Sequence, residues 1–463
     1  MNYISTRGAA PTLPFDDVLL TGLASDGGLY VPETWPAITP ADLEAWADLS
    51  YRELAFRVLH PFIGGSIADD DLEGIIDRAY AAFDDPDVAP IKDLGDGLHL
   101  MELFHGPTLA FKDVAMQFLG HAFDHVLQAK DQRVVIIGAT SGDTGSAAIE
   151  ACRGRDAIEV FMLHPHGRVS EVQRRQMTTV LAPNIHNIAI DGTFDDCQDL
   201  VKAAFNDAPF RARHPLSAVN SINWARVVAQ IVYYVWASLR TAGPGGPCAF
   251  AVPTGNFGNV LAAYAARQMG LPVSQLVVGS NRNDILTRFF DTGAMQMGEV
   301  HPTLSPSMDI QVSSNFERLL FDLLDRDGAA CTETMDRFRA SGRFEVSEAT
   351  LARARVLFDS AAYDDEATKA TIRRFFELHG ETLDPHSAVG AAAALDRRRE
   401  EAVPMVVVAT AHPAKFPDAV EAATGERPAL PAHLSDLLER EERCTRLAND
   451  LGALESLIDE TLT

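Results

Sequence analysis

The sequence predicts an α/β protein with two parallel-sheet domains preceded by a mostly helical region. Three observations carry that expectation. Short apolar runs rich in β-branched residues recur at 134–138, 158–163, 185–190, 248–252, 275–279 and 405–409. They lack polar alternation, as expected of strands covered on both faces. Segments of helical period separate most of them, for example Ala225 to Leu239 and Val260 to Met269, and repeated strand–helix–strand units imply right-handed crossovers. A chain of 463 residues also exceeds what one hydrophobic core usually supports.

Taken in order, residues 1–95 read as the helical N-terminal region. Thr39-Pro40-Ala41-Asp42 looks like a helix start, with Thr39 as cap and proline at the first helical position. Asp69 can cap a second helix, whose Leu72, Ile75, Ile76, Ala79, Tyr80 and Phe83 keep to one face. Pro86 and Pro90 are expected to end it, and Gly95-Asp96-Gly97 marks the boundary turn. The expected division is then a large domain from 96–125 with 240–463, and a smaller domain at 126–239. The segment Ala242-Gly243-Pro244-Gly245-Gly246-Pro247 reads as a linker between strand–helix units. Residues 320–380 carry charge and helical periodicity without a chemical motif.

Composition narrows the function classes. A formal net charge of −26 argues against nucleic acid, because nothing would neutralise phosphates in a stripe. No run of about 18 apolar residues suggests a membrane span. Residues 1–7 lack the apolar core of a secretory signal. The five cysteines are scattered and form no C-x-x-C pair, which fits a reducing compartment and argues against a zinc site. A cytoplasmic enzyme without a metal is the expectation. Only six lysines occur, so a lysine in an apolar context draws notice.

Four segments could carry chemistry. In Phe104-His105-Gly106-Pro107-Thr108-Leu109-Ala110-Phe111-Lys112-Asp113, Lys112 sits among apolar neighbours. It is either a lysine snorkelling from a helix edge or one whose desolvated amine is nucleophilic enough for a Schiff base. The turn Ala139-Thr140-Ser141-Gly142-Asp143-Thr144-Gly145 follows a strand and opens a helix, so it is either a plain turn or a cradle for a carboxylate. Asp143 there would repel an anion and suits an amine or hydroxyl. Pro253-Thr254-Gly255-Asn256-Phe257-Gly258-Asn259 has the same setting and fits neither a Walker loop nor G-x-G-x-x-G. A compact monophosphate cup is the functional reading. In the fourth, a strand delivers Thr410 to its C-terminal end, where open α/β sheets bind ligands. His412 and Lys415 follow, and His412 is either functional or a surface histidine.

Together these segments supply a lysine amine, a phosphate cup, a carboxylate-binding turn and a hydroxyl for a ring nitrogen. That set fits pyridoxal phosphate and an amino-acid substrate. The chain resembles the longer threonine synthases, members of the tryptophan-synthase-β-like (fold type II) pyridoxal-phosphate enzymes. The resemblance runs from Tyr3-Ile4-Ser5-Thr6-Arg7-Gly8 and Asp26-Gly27-Gly28-Leu29-Tyr30-Val31-Pro32 through the four segments above to Phe416. It implies that Lys112 carries the cofactor, that Gly255, Asn256, Phe257, Gly258 and Asn259 hold its phosphate, and that Thr410 faces the pyridine nitrogen. Asp143 stands where many fold relatives carry asparagine. The implied reaction converts O-phospho-L-homoserine and water to L-threonine and phosphate, in a monomer or homodimer. Thr140, Ser141, Gly142, Asp143 and Thr144 are then expected at the substrate. Arg168, Arg226 and Lys415 are the candidate cations for its phosphate, the bland reading of either arginine being a surface ion pair. The main rival is a phospho-lyase that releases 2-oxobutyrate, phosphate and ammonia. Dehydratases, cysteine synthases and a catalytically silent binding protein are further alternatives.

Overall fold

A computed structural model describes residues 1–217 and 221–462. The chain forms two compact units, Met1–Ala115 with Ser221–Pro428 and Met116–Asn220 with Ala429–Thr463. In the first, a six-stranded sheet runs in the order Phe358–Ala362, Val273–Ser280, Cys248–Pro253, Met405–Ala409, Leu98–Glu102, Ile91–Gly95. Only the last pair is antiparallel. Every residue of Cys248–Pro253 and Met405–Ala409 is buried, which is why these strands show no polar alternation. Leu100, Val277, Val407, Ile372 and Phe375 lie in the core on one side of this sheet.

The second unit holds a five-stranded parallel sheet in the order Thr445–Ala448, Ile185–Asp191, Ile158–Pro165, Val134–Ala139, Leu216–Ser217. Its core joins Val135, Phe161, Ile188 and Phe210 to Leu454 and Ile458 of the C-terminal helix Leu451–Leu462.

The helical starts follow local chemistry. Thr39 caps Pro40–Trp46 in a reciprocal box with Asp42, and Ser50 does the same with Glu53 for Tyr51–Ile63. The helix expected to be capped by Asp69 spans Asp69–Tyr80. Ala68 occupies its cap position, and Asp69 is its first helical residue. It ends six residues before Pro86.

The units are bounded differently from the sequence-based division. Gly95-Asp96-Gly97 is the tip of the hairpin between Ile91–Gly95 and Leu98–Glu102, not a boundary. Residues 1–95 belong to the first unit because buried pairs tie them in. Arg7 forms an ion pair with Glu317 at 3.0 Å, and Arg318 Nε donates to the Tyr30 carbonyl at 2.9 Å. The tail beyond Pro428 joins the second unit, because Thr445–Ala448 pairs with Ile185–Asp191. Among the described residues, no helix is long and apolar enough to cross a membrane.

Candidate active site

The strand Met405–Ala409 ends where Lys112 begins its helix. Just past that end, Phe111 N–H donates to the Thr410 carbonyl at 2.8 Å, and His412 N–H to the Leu109 carbonyl at 3.0 Å. Leu109 pays for this zipper with a left-handed φ of 61°, a strained choice for a branched residue. Lys112 then opens the helix Lys112–Ala129, with 8% of its surface exposed. Its Nζ lies 3.4 Å from Ser307 Oγ. The preceding loop closes on Asp113, which accepts from Thr108 N–H at 2.8 Å and from the Thr108 hydroxyl at 2.5 Å. Burial pushes the Asp113 carboxyl up to about 6, opposed by the Thr108 bonds and the charge of Lys415. Gly106 is needed here, since a Cβ would lie 2.5 Å from that of Asp113.

Lys415 is fully buried, and its Nζ donates to the Thr108 carbonyl at 2.7 Å. That hydrogen bond ties the ammonium to the Thr108–Asp113 loop. His412 is half-buried and accepts from Ala414 N–H at 3.1 Å, so it shapes the Pro413–Lys415 turn.

The second element is the turn before the helix Gly258–Met269. Neighbouring segments hold it from outside. Ser313 Oγ donates to the Gly255 carbonyl at 2.7 Å, Asn315 N–H to the Asn256 carbonyl at 3.0 Å, and Ser314 Oγ to Asn256 Oδ1 at 3.0 Å. Phe257 takes φ 65° at the helix cap. With the carbonyls engaged, the N–H groups of Gly255 to Asn259 make no hydrogen bond among the described residues. Asn259 Oδ1 accepts from both Tyr233 and Tyr234 at 2.6 Å, and its Nδ2 is buried without an acceptor. Consecutive open donors at a helix N-terminus fit an anion. A buried lysine amine and a phosphate cradle within one unit suit the aldehyde and phosphate of pyridoxal phosphate. Gly255 has a further reason to be glycine: a Cβ would lie 3.0 Å from the Ser307 carbonyl and 3.2 Å from Met308 Cα.

A buried network that sequence reasoning missed organises the surroundings. Asp384 is fully buried and caps the helix Pro385–Arg397. Its Oδ1 lies 2.9 Å from His386 Nδ1, and its Oδ2 accepts from Ser387 Oγ. His386 Nε2 accepts from Ser307 N–H at 3.1 Å, so the ring carries its proton on Nδ1. Ser387 Oγ accepts from Thr410 N–H at 2.8 Å. One carboxylate thus fixes both Ser307, beside Lys112, and Thr410. The Asp384-Pro385 pair is a helix-start signal that could have drawn attention to His386.

In the second unit, the turn after Val134–Ala139 is tied to itself. Thr140 Oγ1 accepts from Gly142 N–H at 3.0 Å and Gly145 N–H at 2.9 Å. The Thr140 hydroxyl oxygen thus braces its own turn, and its O–H remains a donor. Asp143 Oδ1 accepts from Gln173 Nε2 at 2.8 Å. Gly142 takes φ 143°, and a Cβ there would meet the Gln173 side chain at 2.5 Å. Ser141 is exposed and Thr144 half-buried. Arg168 is exposed on the turn after Ile158–Pro165, at the same strand-end edge of this sheet. Arg226 is no surface arginine: only 5% of it is exposed.

Comparison with known proteins agrees with this geometry. Profiles of the threonine synthase N terminus, pyridoxal-phosphate dependent enzymes and the threonine synthase C-terminal region match residues 2–80, 88–338 and 387–458. The chain is 58% identical to threonine synthase of Pseudomonas aeruginosa, over 99% of this chain and 98% of that one. A crystal structure of pyridoxal-phosphate-bound threonine synthase from Brucella melitensis superposes with a TM-score of 0.98 at 50% identity, covering 100% and 99% of the two chains. The yeast threonine synthase structure gives 0.95 at 39% identity, covering 100% and 98%.

Proposed function

The chain belongs to the threonine synthase family, and on that premise we propose that it converts O-phospho-L-homoserine and water to L-threonine and phosphate. It is a pyridoxal-phosphate enzyme. When bound, the cofactor supplies an electron sink for charge developing on the amino acid, and every proton movement falls to side chains.

Lys112 is the residue for that work. Its amine removes the proton at Cα and then one at Cβ so that phosphate leaves from Cγ, delivers a proton to Cγ, and returns one to Cα after water has added at Cβ, a short-range role that fixed positioning makes fast. Ser307 Oγ, 3.4 Å from Nζ, keeps the amine in place between transfers. Thr410 presents a neutral hydroxyl for the pyridine nitrogen, and the 255–259 turn holds the cofactor phosphate. The substrate carboxylate is assigned to the Ser141–Thr144 part of the second unit's turn, with Arg168 as the exposed cation for the leaving group.

The observation that carries the reading is a buried lysine amine fixed through Ser307 by His386 and Asp384, in the same unit as an open phosphate cradle. The test is incubation with O-phospho-L-homoserine in oxygen-18 water. Threonine labelled at its hydroxyl should form in near-equal amount to phosphate. Phosphate matched instead by 2-oxobutyrate, with little threonine, would replace the synthase with a phospho-lyase.

A further inference from the structure

Both glycines of the 140–145 turn lie under one helix. A Cβ on Gly142 would stand 2.5 Å from Gln173 Cδ, and one on Gly145 would stand 2.8 Å from Met177 Sδ. Gln173 and Met177 are buried and four apart in the helix Glu171–Thr178, so they share the face that rests on the turn. The Gln173 amide is fixed in orientation. Ser170 Oγ donates to its Oε1 at 2.9 Å, which leaves its NH₂ to donate to Asp143 Oδ1 at 2.8 Å.

The adjoining face of the same helix is held by the tail of the chain. Arg174 and Thr178, again four apart, both reach the Glu442 carboxylate. Arg174 Nη1 pairs with its Oε2, and Thr178 Oγ1 donates to that oxygen at 2.6 Å. Arg175 Nη2 lies 3.4 Å from Oε1. Beside these contacts, Arg443 N–H donates to the Thr178 carbonyl at 2.7 Å, and Arg175 Nη1 donates to the Arg440 carbonyl at 3.2 Å. A helix of two turns is too short to keep its own shape and place. The tail on one face and the turn on the other set where it lies.

We propose that Glu442 is a positioning residue for the substrate turn. Through the helix Glu171–Thr178 it sets where Gln173 holds Asp143, and so where the 140–145 turn meets the amino-acid substrate. This rests on the assignment of that turn to the substrate. Glu442 itself touches no ligand; it acts through Gln173.

The experiment uses the full chain loaded with pyridoxal phosphate, as wild type, Glu442→Ala, Glu442→Gln, Gln173→Ala and the Glu442→Ala/Gln173→Ala double variant. Phosphate release from O-phospho-L-homoserine gives KM and kcat whether the carbon product is threonine or 2-oxobutyrate. Glu442→Ala should raise KM about fivefold with kcat kept within about twofold and cofactor affinity unchanged. In the double variant it should add nothing to Gln173→Ala, because contacts in one chain couple. Glu442→Gln keeps an oxygen for the Thr178 hydroxyl and should recover part of the loss; it carries the same comparisons if Glu442→Ala does not fold. Amide hydrogen exchange, read by mass spectrometry, should quicken over residues 140–146 in both single variants and stay unchanged over Met405–Ala409. Additive KM effects, or a loss of cofactor affinity matching the rise in KM, would make Glu442 a general support of the fold and overturn the proposal. So would unchanged exchange over 140–146 in a folded Glu442 variant. If no phosphate is released from this substrate, the proposed reaction fails, and exchange over 140–146 still decides whether the tail holds the turn.

Discussion

Two turns of this molecule have the same recipe and opposite construction. Both follow a buried parallel strand, contain two glycines and open a helix. The 254–259 turn is braced from outside by Ser313, Ser314, Asn315 and two tyrosines, so its own N–H groups stay open. The 140–145 turn braces itself, spending Thr140 on two of its N–H groups and Asp143 on Gln173. The 254–259 turn leaves the N–H groups from Gly255 to Asn259 without a partner among the described residues, whereas the 140–145 turn commits those of Gly142 and Gly145 to Thr140. Strand–glycine–helix composition alone does not distinguish them; the partners of the carbonyls and N–H groups do.

Five variants break or sharpen this contrast. The largest effect is expected at the amine that the open turn serves. Lys112→Ala should lower turnover by more than about 10³-fold, and borohydride should no longer fix the cofactor to the chain; label retained on another lysine would reject the assignment. Thr140→Val should strand two buried N–H groups and cost about 2–4 kcal/mol of stability, read by denaturant unfolding, with cofactor affinity intact. A parallel loss of cofactor affinity would mean that the self-braced turn also holds the resident group. Gly255→Val should weaken cofactor affinity roughly 10- to 100-fold, because its side chain pushes on the Ser307–Met308 backbone as well as on the cradle. Absorbance titration after dialysis reads it, and unchanged retention contradicts the open-turn description.

Ser141→Ala should raise the KM for the phosphorylated substrate about tenfold without altering stability, and move product toward 2-oxobutyrate. The smallest effect concerns the other self-braced loop, closed by Asp113. Its carboxyl is raised in the folded state, so the fold holds that proton to higher pH than the unfolded chain does. The stability it contributes is full below the ordinary aspartate value of 3.8 and is lost as pH climbs to about 6. Asp113→Asn should flatten that part of a stability-against-pH curve, measured by denaturant midpoints at pH 4, 5 and 6.

Most of the buried strands were readable in the sequence, and the edges, with the interior strand Leu98–Glu102, were not. All six apolar runs are strands, because full burial forces β-branched residues with no polar interruption. Phe358–Ala362, Ile91–Gly95 and Thr445–Ala448 went unseen because edge strands are covered on fewer sides and tolerate charge, as Lys92, Asp93 and Arg446 show. In sequence the Gly95–Gly97 turn reads as a boundary because hairpin tips and linkers share a composition. At the site, Lys112 and the 255–259 turn stood out as apolar lysine and glycine punctuation. Lys415 and Thr140 read as functional too, and hydrogen-bond geometry adds that each braces its own loop. Ser307 stands 79 residues from His386 in sequence, so nothing local joined it to Asp384 and His386.

The strand Thr445–Ala448 also sets a timetable for synthesis. Its partner Ile185–Asp191 leaves the ribosome about 250 residues earlier, which at 5–20 residues per second is a wait of roughly 10–50 s. For that interval the nascent second sheet carries an open edge of unpaired N–H and carbonyl groups, the surface on which chains pair with one another. A stop codon anywhere before Thr445 would make that exposure permanent. Nonsense truncation of only the last few elements should therefore yield insoluble chains even though every residue assigned to chemistry has been made.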